Sequence, residues 1–159
     1  MSAPAFPRSD LPRGRIKQCA EDFVVEEIPA YAPSGTGEHV FVRFTKRDAT
    51  TLDATRAFAN ALGCNAREVG FAGMKDKRAV ATQTISLQAP RGVDPKAIAA
   101  RALSLSLDGF VVHEASTHGN KLKPGHLEGN RFAITVRDVA RERIGDVTSA
   151  LDRVARAGV

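Results

Sequence analysis

The chain has 159 residues, of which 43% are hydrophobic and 26% are charged, a balance typical of a soluble globular domain rather than of a disordered chain. No stretch approaches the roughly 18 apolar residues of a membrane helix, and no signal peptide is visible, which together indicate a cytoplasmic protein. The net charge of +5 is compatible either with an ordinary basic protein or with a polyanionic partner such as nucleic acid.

Hydrophobic periodicity predicts six strands and three helices after a flexible N-terminal lead-in at residues 1–15. Strands are indicated by alternation, as in Val40, Val42 and Phe44, and helices by apolar residues three and four apart. Capping residues mark the helix ends. The predicted elements are, in chain order, strands at 21–28 and 39–46, a helix from Thr50 or Thr51 to Gly63, a short apolar run at 69–72, a strand at 79–87, a helix from Asp94, strands at 110–113 and 132–136, and a helix containing Val147, Leu151 and Val154 and followed by Gly158.

This order repeats strand, strand, helix three times. It predicts an α+β domain over residues 16–159, with a largely antiparallel mixed sheet and helices on one face. The two cysteines, Cys19 and Cys64, have neither metal-ligand spacing nor a secretory context, and the four histidines are equally scattered. We therefore expect no metal site and no disulfide.

The densest group of charged residues lies in the polar turn at 73–78. Asp76 is flanked by Lys75, Lys77 and Arg78, and such cations favour the ionised form of a carboxyl group. An ionised carboxylate can act as a nucleophile or a base, and the cations, Lys75 among them, can attract phosphates. Composition alone favours an ordinary solvated hairpin tip, so the pattern makes Asp76 a candidate only.

A second candidate is the basic stretch at 118–143, which has six Lys or Arg against three Asp or Glu. Lys121 belongs to its predicted loop, at 118–129, and such a loop either is simply exposed or contacts a nucleic-acid backbone. Asn130 is followed by Phe132, and an amide can bind a base edge while a ring stacks on a base. This pair is more often a turn residue followed by a core residue.

Four motifs combined resemble the TruD family of tRNA pseudouridine synthases, and the similarity spans residues 16–158. The motifs are KQCAEDFVVEE at Lys17–Glu27, the GEH strand at Gly37–Lys46, GMKDKRAVATQ at Gly73–Gln83, and GNRF at Gly129–Phe132.

The resemblance implies the first half of a pseudouridine synthase catalytic domain, which isomerises uridine in tRNA, at position 13, without a cofactor. It implies that Asp76 is the nucleophile and that Lys17 is the partner of this carboxylate. Phe23, Asn130 and Phe132 are implied to line the uridine pocket. Lys75 and Lys121 remain expected substrate contacts on the basis of their charge.

Family members are longer, so the resemblance also implies that an inserted domain and the second half of the catalytic domain are absent, and that this chain alone has little or no activity. Two alternatives stay open. The first is a basic RNA-binding module without catalysis, and the second is a phosphate-handling enzyme built on the turn at 75–78.

Overall fold

The computed structural model describes residues 12–157, so most of the predicted lead-in and Gly158 lie outside the described residues. The strands and helices follow the predicted order, with short 3-10 turns between some of them. The elements are β1 (Phe23–Pro29), β2 (His39–Arg47), α1 (Thr51–Leu62), β3 (Gly70–Phe71), β4 (Val80–Gln88), α2 (Pro95–Leu103), β5 (Phe110–His118), β6 (Leu127–Ile134) and α3 (Ile144–Ala157).

The strands form one sheet in the order β5-β2-β4-β1-β6, and the short β3 pairs with β4. Only β1 and β4 are parallel; every other pairing in the described sheet is antiparallel. The predicted α+β class and the mixed, largely antiparallel sheet are therefore confirmed. Within residues 12–157, no helix combines the length and the apolar character that crossing a membrane requires.

Helices α1 and α2 cover one face of the sheet. The alternating residues Val40, Val42 and Phe44 of β2 are fully buried beneath them. Helix α1 begins where the Thr50 side chain accepts a hydrogen bond from the Asp53 amide, and it ends at Gly63, whose φ of 72° is the left-handed conformation that glycine adopts easily.

One residue of α1 lies outside the buried face that the sequence predicts. The spacing of Leu52, Thr55, Phe58, Ala59 and Leu62 predicts that these residues share the buried side of the helix, but Leu52 is 41% exposed and the buried positions are 51, 54, 55, 58, 59 and 62. At 3.6 residues per turn, position 52 lies about 100° from position 51, towards solvent.

The C-terminal strands are longer than the hydrophobic pattern predicts. Strand β5 extends to His118 rather than 113, and β6 begins at Leu127 rather than 132, so the predicted basic loop at 118–129 is shortened from both ends. The reason is pairing with distant strands, since β5 pairs with β2 along its length and residues 129–131 pair with β1. Backbone hydrogen bonds to an existing strand outweigh low strand propensity.

Candidate active site

Asp76 lies in the loop between β3 and β4. Hydrogen bonds to buried residues hold this loop against the rest of the domain. Lys46 is fully buried, and its ammonium group donates hydrogen bonds to the carbonyl oxygens of Asp76, at 2.5 Å, and Ala49, at 2.6 Å. Burial lowers the pKa of Lys46 to about 8, because the charged form loses its hydration. The amide of Lys75 donates to Thr51 Oγ1 at 3.0 Å, which ties the same loop to the first turn of α1.

A buried ion pair holds the loop on its other side. The Lys75 ammonium lies 2.6 Å from Glu27 Oε2, and the two side chains are only 4% and 1% exposed. The second Glu27 oxygen accepts the Thr84 amide at 3.1 Å. Strands β1 and β4 pair only as far as Glu26 and Thr82, so the Glu27 carboxylate occupies the point at which the two strands separate.

This placement bears on the expected contact between Lys75 and substrate phosphate. The amine faces inward and is committed to Glu27, so its position does not support a direct contact with RNA. A buried carboxylate is costly unless it is paired, and Lys75 supplies the partner of Glu27, which the local sequence pattern could not reveal.

The side chain of Asp76 points away from the contacts that hold the loop, towards solvent. It is 54% exposed, and its Oδ1 lies 3.1 Å from the Lys17 ammonium. Lys17 has a φ of 56°, in the left-handed region. Its neighbour Gln18 is held by two contacts, since the Gln18 carbonyl accepts from Arg78 at 2.7 Å and the Gln18 amide donates to Asp22 at 3.0 Å. The structure thus brings Lys17 and Asp76 together although they are far apart in the sequence.

Two phenylalanine rings lie beside this ion pair. The Lys17 ammonium lies 3.9 Å from the centre of the Phe23 ring, and the Phe23 and Phe132 rings meet edge to face with centroids 5.8 Å apart. In the antiparallel register of β1 and β6, Val25 is opposite Phe132 and Glu27 is opposite Asn130. Because side chains alternate along a strand, Phe23, Asn130 and Phe132 share the sheet face on which Lys75 reaches Glu27.

Phe132 remains 54% exposed, and Asn130 is also exposed. Helices α1 and α2 pack over strands β2 and β4, so the part of the same face formed by β1 and β6 is open. Asp76 lies at the boundary between the covered and the open parts. The arrangement is an exposed carboxylate next to a cation, at the rim of an open aromatic surface.

Lys121 is not part of this cluster. The Lys121 side chain lies next to Gly70, and Gly70 pairs with Ser86 of β4. The Asp76 loop is held by Lys46, and Lys46 pairs with Ala81 of β4. Five residues of β4 separate the two positions, a distance of about 17 Å. A contact between Lys121 and RNA would therefore be remote from Asp76.

Sequence reasoning missed Lys46 and Glu27. A signal was present for both, because Lys46 continues the alternation of Val40, Val42 and Phe44, and Glu27 continues that of Phe23 and Val25. A charged residue at a core position of a strand is buried only if it is paired or hydrogen-bonded. Lys46 and Glu27 meet this condition, and both act as structural anchors of the Asp76 loop.

Asp22 joins the two strands of the open surface. Its carboxylate is 1% exposed and receives hydrogen bonds from Arg137 Nε at 2.9 Å and from Arg137 Nη2 at 2.7 Å. Asp22 directly precedes β1 and Arg137 follows β6, so the pair fixes the ends of both strands. These hydrogen bonds hold the pKa of Asp22 well below its usual range.

The Asp22–Arg137 pair predicts a loss of stability in acid. The pKa of Asp22 is lower in the folded than in the unfolded chain, so the stabilisation is complete above about pH 4 and is lost as the pH falls further. Urea unfolding measured across a pH series is expected to show this decline, and Asp22→Asn is expected to flatten it. Equal acid slopes for the two chains would contradict the assignment.

Residues 12–157 bring together no group of three His, Cys, Asp or Glu side chains that could hold a metal ion. The groups that the structure brings together near Asp76 are one carboxylate, one adjacent ammonium group, one exposed amide and two aromatic rings.

Comparison with known proteins gives one consistent result. The family model described as tRNA pseudouridine synthase D (TruD) matches residues 9–159. A curated protein named tRNA pseudouridine synthase D from Geobacter sp. (strain M21) is 49% identical over 146 residues, which cover 92% of this chain and 35% of that protein. The protein of the same name from Anaeromyxobacter dehalogenans (strain 2CP-C) is 47% identical over 150 residues, covering 92% of this chain and 41% of that one.

A solved structure agrees with these relatives. A crystal structure assigned as TruD from Methanosarcina mazei superposes with a TM-score of 0.80 at 30% identity, covering 91% of this chain and 32% of that chain. The chain thus spans 32% to 41% of the length of these relatives.

Proposed function

The chain belongs to the tRNA pseudouridine synthase D (TruD) family, and we propose that it supplies the nucleophile and one wall of the uridine pocket for the conversion of a tRNA uridine to pseudouridine. The observation that carries this proposal is the exposed Asp76 carboxylate 3.1 Å from Lys17, beside the rings of Phe23 and Phe132.

The reaction needs few groups. The bond from the ribose C1′ to the uracil N1 breaks, the base turns, and a bond from C1′ to the uracil C5 forms. C5 then loses its hydrogen as a proton and N1 gains a proton, so the atoms balance. The overall change is an isomerisation without net oxidation or reduction. A carboxylate at the junction of sugar and base can assist either by covalent attack or after elimination, and Asp76 is the exposed carboxylate placed on the open aromatic surface.

Lys17 would hold the carboxylate in position. Its ammonium group lies 3.1 Å from Asp76 Oδ1, and Lys17 is itself held over the Phe23 ring at 3.9 Å, in the geometry of a cation–π contact. The nucleophile would thus be oriented before substrate arrives, which lowers the entropic part of the barrier.

The pocket for the base would use β6. A nucleotide on which an enzyme acts must leave the RNA stack, and its base then needs a flat apolar surface and hydrogen bonds to its edge. Phe132 is exposed and steadied by Phe23. Asn130 lies two residues away on the same face, and its amide can both donate to and accept from uracil.

The relatives are longer than this chain, so we propose that the remainder of such a protein would supply the opposite wall of the pocket and most of the tRNA contacts. The target that we propose is uridine 13 of tRNA.

A chimera tests this proposal. This chain would replace the 146 matching residues in the Geobacter sp. (strain M21) relative, and the chimera would be incubated with a tRNA transcript. Pseudouridine at position 13 is the expected product, and the chain alone is expected to give little or none. A chimera that binds tRNA and forms no pseudouridine would instead favour the RNA-binding module.

A further inference from the structure

A cavity lies on the face of the sheet opposite the helices. Arg43 of β2 alternates with Val42 and Phe44, which face α1, so its side chain points the other way. The cavity has a volume of about 300 Å³, within the range of small-ligand sites. It is lined by Tyr31, Phe41, Arg43, Thr84, Glu114 and Ser116 among others.

The floor of this cavity carries two opposite charges. Arg43 and Glu114 are directly opposed across the antiparallel pairing of β2 and β5. Arg43 is held in place by Glu26 Oε1 at 3.1 Å and by the Glu27 carbonyl oxygen at 3.2 Å. These bonds use two of the five N–H donors of a guanidinium group. The exposed Glu114 carboxylate has no hydrogen bond or ion pair within the described part of the chain.

The walls are flat and largely apolar. Tyr31 is fixed by a 2.7 Å hydrogen bond between its hydroxyl and His126 Nδ1, and by stacking on His118 with ring centroids 5.3 Å apart. Phe41 lies 6.4 Å from Tyr31, centroid to centroid. A rigid aromatic wall above a charged floor suits a planar ligand with polar groups along its edge.

We propose that this cavity binds a guanine base. Guanine presents two adjacent N–H donors, which match the unpartnered carboxylate of Glu114, and its O6 and N7 accept hydrogen bonds from a guanidinium group such as that of Arg43. Adenine has neither that pair of donors nor O6, and uracil has a single N–H on its pairing edge. The same base chemistry can come from a free guanine nucleotide or from an unpaired guanine of an RNA.

This inference goes beyond the proposed isomerisation. The cavity lies on the opposite side of the sheet from Asp76 and shares none of the proposed catalytic or pocket residues. Guanine binding and pseudouridine formation can therefore fail independently.

The composition of the chain provides a direct probe. Tyr31 is the single tyrosine and there is no tryptophan, so intrinsic fluorescence of the whole chain reports on this cavity. We expect GMP to quench the emission saturably and to bind about tenfold more tightly than AMP or UMP. N-acetyltyrosinamide titrated in parallel corrects for light absorbed by the nucleotides. Absence of saturable quenching, or equal affinities for the three nucleotides, would overturn the proposal.

Two matched variants locate the site. Glu114→Gln is expected to weaken GMP binding about tenfold, because it removes the carboxylate that accepts the two N–H donors of guanine. Asp152 is an exposed residue of α3 outside the cavity lining. Asp152→Asn should therefore change the affinity for GMP less than about twofold. Circular dichroism checks that both variants fold. Equal effects of the two substitutions would contradict a site at Glu114.

A competition experiment with RNA oligomers distinguishes a free guanine nucleotide from a guanine within an RNA as the ligand. If an oligouridylate with one guanosine displaces GMP and the same oligomer without guanosine does not, the cavity accepts an RNA base. If GMP binds and neither oligomer displaces it, the site is one for a free nucleotide.

Discussion

Replacing Asp76 by Asn is expected to lower the rate of pseudouridine formation by the chimera more than about 10³-fold, the scale of loss seen when an essential catalytic side chain is removed. Asn has nearly the same shape but carries no charge and is a poor nucleophile. The loop should keep its position, because Lys46 binds the backbone carbonyl at this residue and Lys75 is anchored to Glu27. The loss is therefore expected in kcat, with little change in tRNA affinity.

Asp108→Asn is the matched control. Asp108 is exposed in the turn before β5, and the same charge is removed there without touching Lys17 or the aromatic surface. Rates of pseudouridine formation and tRNA affinities would be measured for both variants. Activity of Asp76→Asn within tenfold of the unsubstituted chimera would refute the assignment of Asp76 as nucleophile.

The second large effect is expected on folding. Glu27→Gln should lower the free energy of unfolding by about 3–5 kcal/mol, because it leaves the Lys75 ammonium buried without its counter-charge. Glu27 also holds the Thr84 amide at the point where β1 and β4 separate, so the change loosens both the loop and the strands. Urea unfolding of the chain measures this loss directly.

Glu26→Gln provides an internal comparison one residue away. Glu26 forms ion pairs with Arg43 and Arg131, but its side chain is 44% exposed. Exposed pairs contribute little, so a loss below about 1 kcal/mol is expected. The double variant Glu27→Gln with Lys75→Met should recover part of the stability, since it removes both buried charges. A loss for Glu27→Gln no larger than that for Glu26→Gln would show that the pair does not stabilise the fold.

Much of the fold could be predicted because its signals are local. Alternation in β2, the Thr50 and Asp94 caps and the glycine after α1 each act within one element, and the structure has those elements in the predicted order. The family resemblance likewise singled out Lys17, Phe23, Asp76, Asn130 and Phe132 as separate positions along the chain.

Their assembly depended on contacts between distant segments. Strand β1 pairs in parallel with β4 on one side and antiparallel with β6 on the other, and this double pairing brings Phe23, Asp76 and Phe132 to one surface. No local pattern encodes it, because hydrophobic periodicity specifies which face of a strand is buried but not which strand lies beside it.

The sequence by itself therefore determined the element order, the fold class and the identity of the motif residues. Only the tertiary structure decided that Lys75 faces inward to Glu27, that Lys46 is buried beneath the Asp76 backbone, and that Lys121 lies remote from the carboxylate. For Lys46 and Lys75 the physical reason is that a long flexible cation has no preferred direction of its own, and the buried oxygen atoms that bind it are brought close only by folding. The place of Lys121 depends instead on the pairing of β3 with β4, which brings Gly70 next to Ser86.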